Sequence, residues 1–251
     1  MLSQLFMPLA VAFGEGLGLK LVIGMIAWFV SMGLHEGGHA WAAWRLGDNT
    51  AYMLGKRTIN PFRHVNWNEP NSVISSVVLP AITSIAFAQP FGQGFVCVPM
   101  GMAWVPVNPN NFRHPSRDHA IVAAAGPGGD FICALGAFVL FFAFYPLLWQ
   151  ADAGALNNFT LCIIFSTYLT AIVYGVFNLV PIPPLDGSNV LYYFGNWRLR
   201  EFMDRIRPFG FMIIVGVFWI GGGGRLLNPI IEALLWPFFK LPEMVWGTRN
   251  A

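Results

Sequence analysis

Residues 18–46 read GLKLVIGMIAWFVSMGLHEGGHAWAAWRL, and this stretch decides both the fold class and the chemistry. It is apolar and long enough to cross a hydrocarbon core, which takes about 20 helical residues. Its second half nevertheless carries His35, Glu36 and His39. Ionisable side chains are expensive at that depth and need partners. Residues four apart share a helical face, so both imidazoles reach a single ion. Glu36 is one position round from that face, near enough to meet a water on the ion without ligating it. A chance HExxH arises in roughly one sequence in a hundred of this length. Three such residues inside one membrane helix would be hard to satisfy without an ion. Neutral imidazole suits zinc at about 2.0 Å. Zinc lowers the pKa of a coordinated water toward about 7, and a carboxylate can then accept its proton and pass it to a leaving group.

The rest of the composition agrees with lipid as the solvent. Of 251 residues, 56% are hydrophobic and only 10% charged, whereas soluble domains carry about a quarter charged residues. A net charge of +2 is too small to argue for nucleic acid, and no basic stripe interleaved with aromatics is present, so no nucleic-acid partner is expected. Cys97, Cys133 and Cys162 are scattered and form no CxxC pair. They read as small apolar side chains in packed helices, not as a disulfide framework or a thiolate metal site. Met1 to Ala12 lacks a basic n-region, so no removable signal peptide is expected.

Two further spans follow the first. His119 to Trp149 is interrupted near its start by Gly126-Pro127-Gly128-Gly129, and Phe159 to Val180 ends in PIPPLDG; a polar turn, Gln150 to Asn158, joins them. Between the first and second spans lie a polar stretch (Asp48 to Asn71) and an apolar piece (Val73 to Ala88) with Pro80 in its middle. Next comes FGQGFVCVPMGMAWVPV, residues 91–107, which Gly and Pro break too often for a helix. It reads as extended or hairpin structure. A basic amphipathic stretch (Asn196 to Arg207) precedes an apolar one, Phe209 to Phe239, broken by Gly221 to Gly224. That last region is compatible with one long span or two shorter segments. The glycine run has no following Lys-Ser/Thr and reads as a break, not a phosphate loop. The expectation is an all-α polytopic membrane protein: a three-helix core, a re-entrant helix/extended unit, and a C-terminal apolar segment or hairpin. Residues 1–251 form one domain with its core over about 18–195, without room for an inserted soluble module such as a PDZ domain.

Two imidazoles and a water leave a tetrahedral zinc site one ligand short. Acidic residues near apolar segments are few: Glu36, Asp130, Asp186 and Glu232. Asp186 sits in Pro181-Ile182-Pro183-Pro184-Leu185-Asp186-Gly187. Prolines break the helix there and Gly187 permits unusual dihedrals, so the chain can turn a carboxylate inward. A plain helix-ending turn would explain the motif alone; beside an incomplete two-His site, the third-ligand reading is favoured. His64, His114 and His119 fall in polar stretches or at a span edge and read as solvated or interfacial. Gly37 and Gly38 are costly in a helix but let another backbone approach.

HEGGHAWAAWRLGD, INPFRHVN, FGQGFVCVPMGMAWVPVNPNNFR, AAAGPGGD and FNLVPIPPLDGSNVL occur in this order over roughly residues 30–195. Together they resemble the compact prokaryotic site-2 protease family of intramembrane zinc metalloproteases. The resemblance implies one zinc per chain on His35, His39 and Asp186, with Glu36 as general base. It implies hydrolysis of transmembrane protein or peptide substrates in the prokaryotic inner membrane. It also assigns Asn178 to substrate or oxyanion stabilisation; an amide donor in a dry site is worth about 3 kcal/mol to a developing oxyanion. An Asn that braces neighbouring helices is the competing reading. One position departs from the family: Asp130 stands where AGPxxN usually has an amide. A protonated hydrogen-bonded acid, a solvated one, and an acceptor that orients a ligating His are all open to it.

Charge counting sets the topology. His39 and Asp186 meet at one ion only if the first and third spans end on the same side, so one of the apparent crossings between them must be undone. Arg45, Lys56, Arg57 and Arg63 precede residues 71–107, Arg113 and Arg117 follow them, and Arg198, Arg200, Arg205 and Arg207 lie beyond the third span. The turn 150–158 has no Lys or Arg. By the positive-inside rule all three basic regions are cytoplasmic, and residues 71–107 enter and leave from one side. The metal then lies toward the cytoplasmic third of the bilayer. An extended edge in residues 91–107 could clamp a substrate by strand addition. The alternative is a proteolytically inactive metal-binding scaffold or transport protein. Transport favours polar residues leading from both faces, and the turn side offers few; a scaffold tolerates loss of Glu36, which is present.

Overall fold

The computed structural model describes residues 16–91, 94–148, 155–217 and 224–246. Helix α1 spans Leu17–Arg45 and is followed by a short α2, Thr50–Met53. Helices α3 (Pro70–Val73) and α4 (Leu79–Ala86) are joined by a π-helical stretch, Ile74–Val78. A hairpin of β1 (Gln89–Phe91) and β2 (Gly94–Val96) comes next, paired antiparallel with Pro90 opposite Phe95. The remaining helices are α5 (Pro115–Leu148), α6 (Ala155–Asn178), α7 (Asp186–Phe194), α8 (Trp197–Ile206), α9 (Gly210–Val215) and α10 (Gly224–Trp246). Among the described residues, three helices are long and apolar enough to cross a membrane: Leu17–Arg45, Pro115–Pro146 and Asn158–Asn178. The protein is a helical membrane protein.

The second span begins earlier than expected and runs unbroken through Gly126-Pro127-Gly128-Gly129. Pro127 is fully buried, and helix breakers are tolerated in membrane helices when neighbours satisfy the freed backbone groups. Contacts with α1 run in opposite order along α5, His39 with Val122 and then His35 and Ser31 with Asp130, so the two are antiparallel. Helix α6 runs parallel to α1, with Cys162 beside Ile23 and Tyr174 beside Trp28. The largest apolar core lies between α5, α6 and α10, where the Phe141 and Phe238 rings stack at 4.0 Å. In the C-terminal region α9 and α10 are two helices flanking residues 218–223, and most of the expected Gly221 to Gly224 break lies outside the described residues.

Residues 65–112 form the re-entrant unit. Val65 and Val73 pack near Trp28 and Met32, Ala88 reaches Leu19 and Ile23 at the far end of α1, Ala103 is back beside Trp28, and Phe112 meets Ala43. The chain descends along α1 and returns. Regular extended structure is shorter than residues 91–107 suggested, confined to the hairpin at 89–96. Hydroxyls hold the irregular return instead. Ser166, Thr170 and Tyr174, one helical face of α6, bond the backbone of Cys97 and Gly101. Ser76 and Thr83 bond that of Met102 and Met100. Irregular backbone is tolerated at membrane depth where protein covers it in this way.

Candidate metal centre

Ser31, His35 and His39 are spaced by one turn, on one face of α1. Helix α5 lies directly over them. A Cβ on Gly126 would sit 2.3 Å from His39 Nε2 and 2.8 Å from His35 Nε2, so only glycine lets the α5 backbone come this close to the imidazoles.

Each ring is fixed through its other nitrogen. His39 Nδ1 donates to the Val122 carbonyl at 2.8 Å. A carbonyl only accepts, so the proton is on Nδ1 and Nε2 keeps its lone pair. His35 Nδ1 lies 2.7 Å from Asp130 Oδ2; with Asp130 ionised, the proton is likewise on Nδ1 and Nε2 keeps its lone pair. Asp130 is fully buried, and its other oxygen accepts from Ser31 Oγ at 2.9 Å. Full burial excludes the solvated role for this acid, and the contact with His35 fits an acceptor that orients the ring. Ser31 and the Val122 carbonyl were not found from sequence. Ser31 carried a signal, its place one turn before His35; a backbone carbonyl carries none.

Asp186 arrives through the proline-rich turn. After α6 ends at Asn178, the chain is held by Val180 N–H to Phe177 O (3.0 Å), Ile182 N–H to Val180 O (2.8 Å) and Leu185 N–H to Ile182 O (2.9 Å). Asp186 then opens α7. A Cβ on Gly187 would lie 2.2 Å from Leu179 O, so glycine is needed for α7 to fold back against the end of α6.

The three donor atoms converge. His35 Nε2 and His39 Nε2 are 3.1 Å apart, and Asp186 Oδ2 is 3.3 Å from the first and 3.4 Å from the second. These are the three groups among the described residues that could share a metal ion. Tetrahedral zinc with bonds of about 2.0 Å separates its ligand atoms by about 3.3 Å. The triangle fits one face of that tetrahedron, and two facing imidazole lone pairs beside a carboxylate call for a cation. Glu36 is buried on the adjoining face of α1. Asn178 is half-buried at the end of α6 and makes no hydrogen bond to His35, His39 or Asp186. His64 departs from expectation: it is buried, not solvated, because Nε2 donates to Thr58 O at 2.9 Å in a loop packed on α1. His114 is exposed and His119 half-buried.

The fold and donor set are those of a membrane protein with a candidate metal centre, and the names of the chain's relatives make it a zinc metalloprotease. "Putative zinc metalloprotease YwhC" of Bacillus subtilis is 30% identical over 220 residues, 85% of this chain and 86% of the relative. Rip2 of Mycolicibacterium smegmatis, of the same designation, is 29% identical over 194 residues (77% of this chain, 65% of the relative). Rip2 of Mycobacterium tuberculosis, likewise so designated, is 28% identical over 174 residues (68% and 56%). No family model matches the chain, and no solved structure matches it. The chain belongs to the compact prokaryotic site-2 protease family.

Proposed function

We propose that this protein is an intramembrane endopeptidase, with one zinc per chain held by His35, His39 and Asp186, that cuts membrane-embedded protein or peptide substrates. The observation that carries the reading is the donor triangle of 3.1, 3.3 and 3.4 Å beside a buried Glu36, within apolar helices. Zinc, when bound, supplies Lewis acidity toward the scissile carbonyl and acidifies water. Glu36 accepts the proton of the attacking water and hands it to the leaving amine. Asp130 and the Val122 carbonyl keep both rings in the ligating tautomer. Asn178 donates to the oxyanion as the carbonyl becomes tetrahedral.

A substrate helix must unwind before attack, because its carbonyls are hydrogen-bonded. Helix hydroxyls already occupy much of the backbone of 97–102, so residues 103–107 are the better edge for an extended substrate. Val105 packs against Ala40, one residue past His39, which keeps that edge near the metal. The Lys/Arg counts favour a prokaryotic inner-membrane protein with its active site toward the cytoplasm.

The test is purified protein in detergent, incubated with a panel of single-span substrates with and without a chelator. Cleavage should stop on chelation and return with zinc. Glu36→Gln should keep about one zinc per chain and lose at least about 100-fold in turnover. Normal turnover by that variant would remove Glu36 from the mechanism. A zinc-loaded wild type that cuts no substrate would favour the scaffold reading.

A further inference from the structure

At the C-terminal end of α1, two arginines share one pair of indoles. The Arg45 guanidinium lies 5.2 Å from the Trp41 ring centroid and 5.5 Å from that of Trp44. The Arg57 guanidinium lies 4.1 Å from Trp44, 4.5 Å from Tyr52 and 6.0 Å from Trp41. The two indoles meet edge to face at 5.8 Å. Two like charges are thus gathered on one aromatic platform. Among the described residues neither arginine has an ion pair or a hydrogen bond; the ion pairs of this chain's arginines involve Arg117, Arg205 and Arg207.

Nearby charges are committed elsewhere. Asp48, the acid closest in sequence, is fully buried, and its oxygens accept from Thr50, Asn108 and Asn111. Lys56 donates to the carbonyls of His64 and Trp104. The platform therefore presents two forked guanidiniums, five N–H donors each, with no protein acceptor. Around it the surface is apolar and open: Trp41 is 48% exposed, Tyr52 51%, Met53 80% and Leu54 61%.

We infer that this platform binds the phosphate of an anionic phospholipid, with an acyl chain lying against the exposed side chains of Trp41, Tyr52, Met53 and Leu54. Phosphate oxygens match the planar fork of arginine bidentately. The aromatic rings sit where a membrane helix meets the headgroups. Charge complementarity selects an anionic lipid over a zwitterionic one, whose own cation competes for the phosphate. The exposed apolar surface beside the two guanidiniums, at the end of a spanning helix, selects a lipid over a soluble phosphate. The inference stands independently of the metal site.

Native mass spectrometry of the detergent-purified full chain tests it, with phosphatidylglycerol and phosphatidylcholine at equal concentration. Wild type should retain phosphatidylglycerol preferentially. Arg45→Gln/Arg57→Gln should lower that retention by about tenfold or more, while Arg205→Gln, at an exposed ion pair on α8, leaves it unchanged. Arg45→Lys/Arg57→Lys keeps the charge and guards against misfolding; it should fall between wild type and the glutamine pair. Equal retention of the two lipids, a glutamine pair indistinguishable from wild type, or displacement of the lipid by equimolar inorganic phosphate would each overturn the assignment.

Discussion

Asp130 shows how a single residue can be conspicuous in sequence and decided only in space. Its position in Ala-Gly-Pro-Gly-Gly-Asp marked it as unusual, and the choice among its roles required the distances to His35 and Ser31. His35, Glu36 and His39 were legible because helical periodicity alone puts them together. The Val122 carbonyl was not, since any residue type could supply it. If Asp130 fixes the His35 ring, Asp130→Ala should weaken zinc binding by about 10–100-fold, read by competition with a chelator of known affinity. Asp130→Asn should stay within about tenfold of wild type. Its carbonyl oxygen can still accept from His35 Nδ1, and its amide can donate to Ser31 Oγ. Wild-type affinity in the alanine variant would mean that packing alone orients the ring.

At the scale of elements, the spanning helices were legible within a few residues and the re-entrant unit only in outline. Pro80 explains part of its shape. A proline has no N–H for the carbonyl four residues back. The Ser76 carbonyl is accordingly free, accepts from Trp28 Nε1 at 2.8 Å, and lies in the π-helical stretch that makes room for the ring. The rest depends on pairing between distant segments. Ser166, Thr170 and Tyr174 recur every four residues on α6 and look like ordinary small or aromatic interruptions until Cys97 and Gly101 are placed against them. Tyr174 Oη accepts from Gly101 N–H at 2.7 Å and donates to its carbonyl at 3.3 Å. Tyr174→Phe leaves both part-buried groups without that partner, at a cost of about 1 kcal/mol. Its thermal unfolding midpoint in detergent should fall while zinc content stays near one per chain. An unchanged midpoint would show that the backbone of Gly101 finds another partner.

For the whole molecule, the topology argument and the coordinates meet at one point. A site built from the end of the first span and the turn after the third requires the intervening chain to return to the side it left. The packing of Val65, Ala88, Ala103 and Phe112 along α1 traces that return. Asn66 and Asn110 are both exposed at the ends of the unit. Lys56 ties the two ends, donating to His64 O at 3.4 Å and Trp104 O at 3.2 Å, and Asp48 holds the second end beside the end of α1, accepting from Asn108 N–H and Asn111 Nδ2 at 2.7 Å each. Gly18 is exposed at the opposite end of α1, with open space at its Cβ position. In a background lacking Cys97, Cys133 and Cys162, all buried, single cysteines at Asn66 and Asn110 should be modified by a membrane-impermeant thiol reagent from the same side. A cysteine at Gly18 should be modified only from the other. By the positive-inside rule, the six Lys/Arg flanking residues 71–107 predict that the shared side is cytoplasmic. Inverted vesicles should therefore expose Asn66 and Asn110, and intact spheroplasts Gly18. Modification of Asn66 and Asn110 from opposite sides would mean that residues 71–107 cross fully. Helices α1 and α6 would then run in opposite senses through the membrane, and His39 and Asp186 could not meet at one ion.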